Sequence, residues 1–135
     1  MTEAIRAGRI LTMDPCRPEI RDAGLLVREG RILAVGSWKE VVGGGIPRDL
    51  GPVTLVPGLI NAHTHLELSH LAGRVDMGQG FMAWADALFA AMRQGRPDDS
   101  AMDRAVLEAQ ASGTCCVADV VGRDFDLVRS VLRRR

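Results

Sequence analysis

The stretch Val53-Thr54-Leu55-Val56-Pro57-Gly58-Leu59-Ile60-Asn61-Ala62-His63-Thr64-His65-Leu66-Glu67 constrains this chain most, because an apolar run ends there in two histidines one residue apart. Side chains at i and i+2 of a β-strand share a face, so His63 and His65 can present two imidazoles to one cation while Thr64 points away. The third histidine, His70, follows closely, and the chain has no other. Imidazole suits zinc, iron, nickel or copper. A catalytic zinc commonly takes about three protein ligands and keeps a water, so the pair would be part of a site whose remainder lies elsewhere. Residues 55–62 read as a strand buried on both faces, interrupted at Pro57-Gly58, that delivers the histidines where it runs out. In barrels of parallel strands the C-terminal strand ends carry the chemistry. Glu67, at i+2 from His65, is expected to continue the same face.

Upstream of this stretch the pattern is of strands and tight turns. Residues 5–13 form a first strand candidate, and Asp14-Pro15-Cys16-Arg17-Pro18 a turn with fixed-φ prolines. Residues 24–27 and 31–35 are short strands around Arg28-Glu29-Gly30-Arg31, a hairpin signal. Ser37 is placed to cap a short helix over 37–42. The triple glycine in residues 41–47 is expected to be a linker, since no phosphate-binding G-x-x-x-x-G-K-[ST] follows. Residues 49–52 are expected to turn, and 53–56 to form a strand that ends at the domain boundary.

Downstream, residues 67–80 are expected to be a loop on the active face, carrying Glu67, His70, Arg74 and Asp76. The spacing predicts a helix over 81–92, with Phe81, Trp84, Leu88 and Ala91 as a core stripe. Asp98-Asp99-Ser100 offers caps for a second helix through Gln110 that buries Met102, Ala105, Val106 and Ala109. Residues 114–121 read as a second buried strand in which Cys115 and Cys116 are small fillers. A last helix over 124–134 places Phe125, Val128 and Leu132 on one face. The order strand, helices, strand, helix is how a parallel α/β barrel begins.

The segment 57–66 resembles the first barrel strand of the metal-dependent amidohydrolase superfamily, in its deaminase and chlorohydrolase-like branch. Residues 6–14 and 24–36 resemble the strands that open that family's small β-sandwich, and residues 111–119 its second barrel strand. The resemblance implies an α/β chain holding the start of a TIM-like (β/α)8 barrel preceded by sandwich strands, both incomplete: residues 1–56 for the sandwich, 57–135 for the barrel. It implies that His63 and His65 are metal ligands, joined in the family by a later histidine and an aspartate, with a further histidine and a glutamate handling protons. Glu67 and His70 are the candidates for substrate contact. The cofactor implied is a divalent metal, zinc foremost and iron as the alternative, which activates water to attack an electrophilic carbon. The implied reaction hydrolyses a non-peptide carbon–nitrogen bond, as in deamination of a purine or nucleoside-like heterocycle.

Length and charge set limits on that reading. A chain of 135 residues can bury a core but falls short of the roughly 250 residues of an eight-unit barrel. No histidine follows His70 and Lys39 is the sole lysine, so neither a lysine-bridged two-metal site nor a four-ligand site is completed within one copy. The chain alone is therefore expected to lack a complete active site, and the alternative to an enzyme fragment is an inactive remnant or interaction module. Its partners would be a heterocyclic small molecule and either a second copy or another chain. The 17 basic and 17 acidic side chains balance, which argues against a nucleic-acid or membrane partner. The arginines ending the chain read as a solvated helix end. An odd cysteine count and the lack of a signal-peptide core or an apolar run of about 18 residues suggest a cytoplasmic protein. A nucleobase-deaminase zinc motif finds only its first half, in His65-Leu66-Glu67, because Cys115-Cys116 lacks the P-C-x-x-C form.

Overall fold

The computed structural model describes residues 1–76, 78 and 80–134. Two compact units, Met1–Pro57 and Gly58–Arg135, divide the chain. In the first, strands β1 (Thr2–Leu11), β2 (Glu19–Arg28) and β3 (Arg31–Ser37) form an antiparallel meander. The β2–β3 turn places Glu29 at φ 51° and Gly30 at φ 73°. Two successive positive φ values are the geometry of a type I′ hairpin turn, and Arg28 accordingly pairs with Arg31.

Helix α1 (Trp38–Val41) follows, with the Glu40 carboxylate accepting the Ser37 N–H at 2.8 Å. That hydrogen bond holds the Glu40 carboxyl below the usual range. Residues 46–47, expected as linker, instead open strand β4 (Ile46–Asp49), which lies parallel to β1; β5 (Thr54–Leu55) pairs farther along the same strand. Pro47 fits because an edge strand does not need every N–H. The result is one five-stranded sheet. Ile10, Ile20 and Ala23 are its buried cluster, with Leu25 and Leu55 packed on them, and Ile10 sits directly opposite Ile20.

The second unit contains β6 (Leu59–Thr64), α2 (Phe81–Gln94), α3 (Asp99–Ala111), β7 (Thr114–Asp119) and α4 (Phe125–Arg133). β6 and β7 are parallel neighbours, joined through the helices as parallel pairing requires. Gly58 leads into β6, and a Cβ there would meet Cys115 at 2.7 Å. The core is built by Leu66, Met102, Val106, Val128 and Val131, with Met102 and Val131 at 0% exposure. Asp98 caps α3 by accepting the Ser100 N–H, and Asp124 caps α4 by accepting the Leu127 N–H. Arg134 pairs with Asp99 and reaches Asp103 at 3.4 Å, so the solvated helix end also links α4 to α3; Arg135 lies outside the described residues.

Several packing expectations need correction. Among the described residues β6 and β7 pair only with each other, and this two-stranded sheet is poorly covered: Ile60 is 70% exposed, and Cys115 and Cys116 are exposed rather than buried fillers. α2 has no fully buried residue, and Phe81 leans on Trp84 from an exposed position. On α4 the buried pair is Val128 and Val131, while Phe125 faces solvent. Among the described residues no helix is long and apolar enough to cross a membrane.

Candidate metal centre

The site is organised by a break in the β6–β7 ladder. Asn61 pairs with Val117 and Thr64 with Asp119, so two residues of β6, Ala62 and His63, oppose one of β7. That count is a β-bulge, a device that redirects side chains. The amide released there is satisfied locally: the His63 N–H donates to the Asn61 side-chain oxygen at 3.1 Å. The ladder resumes beyond it, where the Val120 N–H donates to the Thr64 carbonyl at 2.8 Å.

His63 and His65 converge at the end of β6. Their Nε2 atoms are 3.0 Å apart, with the rings edge-on at 4.9 Å between centroids. Two nitrogens at that separation are close enough that both could hold one zinc at its usual bond length of about 2.0–2.1 Å. His65 Nδ1 is 2.8 Å from the Val120 carbonyl. A carbonyl only accepts, so Nδ1 carries the proton and the Nε2 lone pair accepts from His63 Nε2–H, a hydrogen bond that a cation would replace. The donor set therefore fits a divalent metal as two of its ligands. Among the described residues no group of three or more His, Cys, Asp or Glu side chains could hold a metal ion.

Glu67 does not continue the strand face. The chain leaves β6 at Thr64 and enters a 3-10 turn over Leu66–Leu71, because Leu66 is drawn into the core and its N–H donates to Asp119 Oδ1 at 2.8 Å. Glu67 is thereby turned inward to 2% exposure. Its Oε1 accepts from the Gly122 N–H at 2.9 Å, and its Oε2 from the N–H groups of Arg123 at 2.9 Å and Asp124 at 3.4 Å. His70 donates from Nδ1 to the Glu67 carbonyl at 2.9 Å, and its buried Nε2 has no partner. His70 lines a polar concavity of about 330 Å³ with Arg74, Asp98, Arg104 and Glu108, which neither His63 nor His65 lines. Of the expected active-face loop, Arg74 and Asp76 are described, whereas Met77 and Gln79 lie outside the described residues.

Asp119 and Val120 were not foreseen in this role. Asp119 holds the Leu66 amide with Oδ1, while its Oδ2 is buried without a partner. A carboxylate ending the second strand beside a His-x-His ending the first was the available signal, since catalytic groups gather at the C-terminal ends of parallel strands.

No protein-family model matches the chain. It is 40% identical over 75 residues to a 5-methylthioadenosine/S-adenosylhomocysteine deaminase of Nitratidesulfovibrio vulgaris, a match spanning 53% of this chain and 17% of the relative. In fold it superposes on a Helicobacter pylori aminofutalosine deaminase solved with methylthio-coformycin, at TM-score 0.79 and 20% identity, over 98% of this chain and 33% of the other. It also superposes on a Xanthomonas campestris adenosine deaminase solved with bound zinc, at TM-score 0.78 and 25% identity, over 98% of this chain and 31% of the other. The resemblance is to the N-terminal part of amidohydrolase-superfamily deaminases. The His-Thr-His strand and its flanks had implied that family. The mixed α/β architecture matches the opening portion of its fold, and the chain spans about a third or less of the proteins it matches.

Proposed function

We propose that this chain is the N-terminal portion of a zinc-dependent hydrolase that deaminates an adenosine-like heterocycle, with residues 1–56 as its opening sandwich strands and 57–135 as the first part of its barrel. The observation that carries the reading is the convergence of His63 and His65 Nε2 at 3.0 Å with His65 Nδ1 held by a backbone carbonyl. The deaminase relatives and the zinc of the Xanthomonas enzyme support the reaction class and the metal. In this reading His63 and His65 supply two imidazole ligands, and the bound cation supplies an activated water as nucleophile. His65 keeps one orientation through Val120, and the bulge at Ala62–His63 directs the His63 ring. His70, expected to contact substrate, instead lines a concavity apart from the histidine pair, and Glu67 serves through the turn it holds. With two ligands, the chain by itself holds a cation weakly and does not turn substrate over.

The test begins with the DNA downstream of the Arg135 codon, read in all frames for a histidine and an aspartate in family context. The joined protein, loaded with zinc, should convert an adenosine-type substrate with release of ammonia. A downstream region without those ligands refutes the enzyme reading. In that case a non-catalytic module pairing through β6 and β7 becomes the reading of choice, favoured by the exposure of Leu59 at 58% and Ile60 at 70%. It predicts self-association or capture of a partner strand, measurable by light scattering.

A further inference from the structure

We infer that Glu67 is a positioning residue for the metal pair, acting through the turn after β7 to hold His65 in its ligating tautomer; this rests on the reading of His63 and His65 as ligands. Among the described residues Glu67 is the one buried charged side chain. Burying a carboxylate costs several kcal/mol unless hydrogen bonds replace its water. No cation does so here. The replacement comes from three consecutive backbone amides, those of Gly122, Arg123 and Asp124, at the entrance to α4, where unpaired N–H groups and the helix dipole favour a negative charge.

The same turn starts at Val120, whose carbonyl receives the His65 Nδ1–H. Glu67 thus grips the turn two to four residues beyond the atom that orients His65, from a position two residues beyond His65 itself. A loop closed between the two strand ends results: His65 to Val120, through the 121–124 turn, to the Glu67 carboxylate, and back along the chain to His65. Arg123 adds a hold from outside by donating its guanidinium to the Met92 carbonyl of α2. The strand ends do not depend on this grip, because Leu66 remains bonded to Asp119 and packed in the core. Loss of Glu67 should therefore let the Val120 carbonyl turn, while the Val120 N–H stays on Thr64 and β6 and β7 stay paired. His65 could then exchange its Nδ1 proton for Nε2, donating to His63 instead of accepting from it and blocking the lone pair that a cation needs.

The test uses Glu67→Gln in the full chain. The carboxamide keeps the volume but turns an NH2 group toward an amide donor, so one side of the grip is lost. Nitrogen-15 resonances of the His65 ring, recorded without metal at mildly alkaline pH, should change from a single Nδ1–H form to a tautomer mixture. Zinc affinity should fall by about 10–100-fold, the usual effect of removing an outer-shell partner. Gly122→Ala is the second variant: its new Cβ would stand 2.9 Å from Glu67 Oε1, so the carboxylate must shift while remaining charged. It should move both readouts in the same direction by less.

A folded Glu67→Gln with an unchanged His65 tautomer overturns the inference and leaves Glu67 a purely structural anchor. So does a wild-type His65 in the Nε2–H form, or a loss of fold in both variants. If zinc binding proves indifferent to His63→Ala, the metal reading fails instead, and the metal-free tautomer comparison still decides the role of Glu67.

Discussion

Replacing Met102 by alanine tests the packing account most directly, with Phe81→Ala as its counterpart. Met102 is fully buried against Leu66, Val106, Val128 and Val131, whereas Phe81 is 73% exposed despite its place on the apolar stripe of α2. Truncating methionine to alanine removes about three heavy atoms' worth of burial at about 0.8 kcal/mol each, and the cavity left among branched side chains brings the loss into the range of about 2–5 kcal/mol. Phe81→Ala removes a ring that water already touches and should cost about 0.5 kcal/mol or less. Urea unfolding followed by Trp84 fluorescence, with Trp38 replaced by phenylalanine to silence the first unit, would read the second unit alone. At a slope of about 1 kcal/mol per molar urea, Met102→Ala should move the midpoint down by about 2 M or more, and Phe81→Ala by less than about 0.5 M. Because Leu66 adjoins His65, the Met102 variant should also weaken metal binding. A reversed order of the two midpoints, or a Met102→Ala cost below about 1 kcal/mol, would refute the core described here.

Other outcomes follow from local features. His63→Ala and His65→Ala should each abolish measurable cobalt or zinc binding by titration calorimetry, and chelation of the wild type should leave its far-UV circular dichroism unchanged, since backbone hydrogen bonds join β6 to β7. The hydrogen bonds from Ser100 hold the Asp98 carboxyl below the usual aspartate range. A lowered folded pKa means that the cap contributes fully above the ordinary aspartate value and is lost as pH falls through the folded value; Ser100→Ala should shift that loss upward in pH, read by carboxyl NMR titration. Glu29→Asn should raise stability by about 0.5–1 kcal/mol in thermal unfolding, because asparagine tolerates the left-handed conformation better than glutamate does.

What the sequence determined by itself was local. Glu29-Gly30 specifies its turn through backbone sterics, Asp98 and Ser100 cap α3 within one turn of chain, and His63-Thr64-His65 carries the proposed ligand pair in a two-residue period. The turn and the cap need no distant residue to be legible. The tertiary structure decided what depends on partners far along the chain. Ile60 and Phe81 are apolar in strand and helix patterns, yet their exposure is set by which neighbours exist to cover them, and periodicity does not encode that. Pro47 reads as a breaker until β1 lies beside it as a parallel partner. The bulge that aims His63 arises because β6 must realign with β7 more than 50 residues later. Glu67 was expected on the strand face with His65, but the burial of Leu66 turns the chain into a 3-10 helix and delivers the carboxylate to amides 55–57 positions away. A buried charge goes where hydrogen-bond donors can replace its water, and those donors exist only once the fold has brought the two strand ends together.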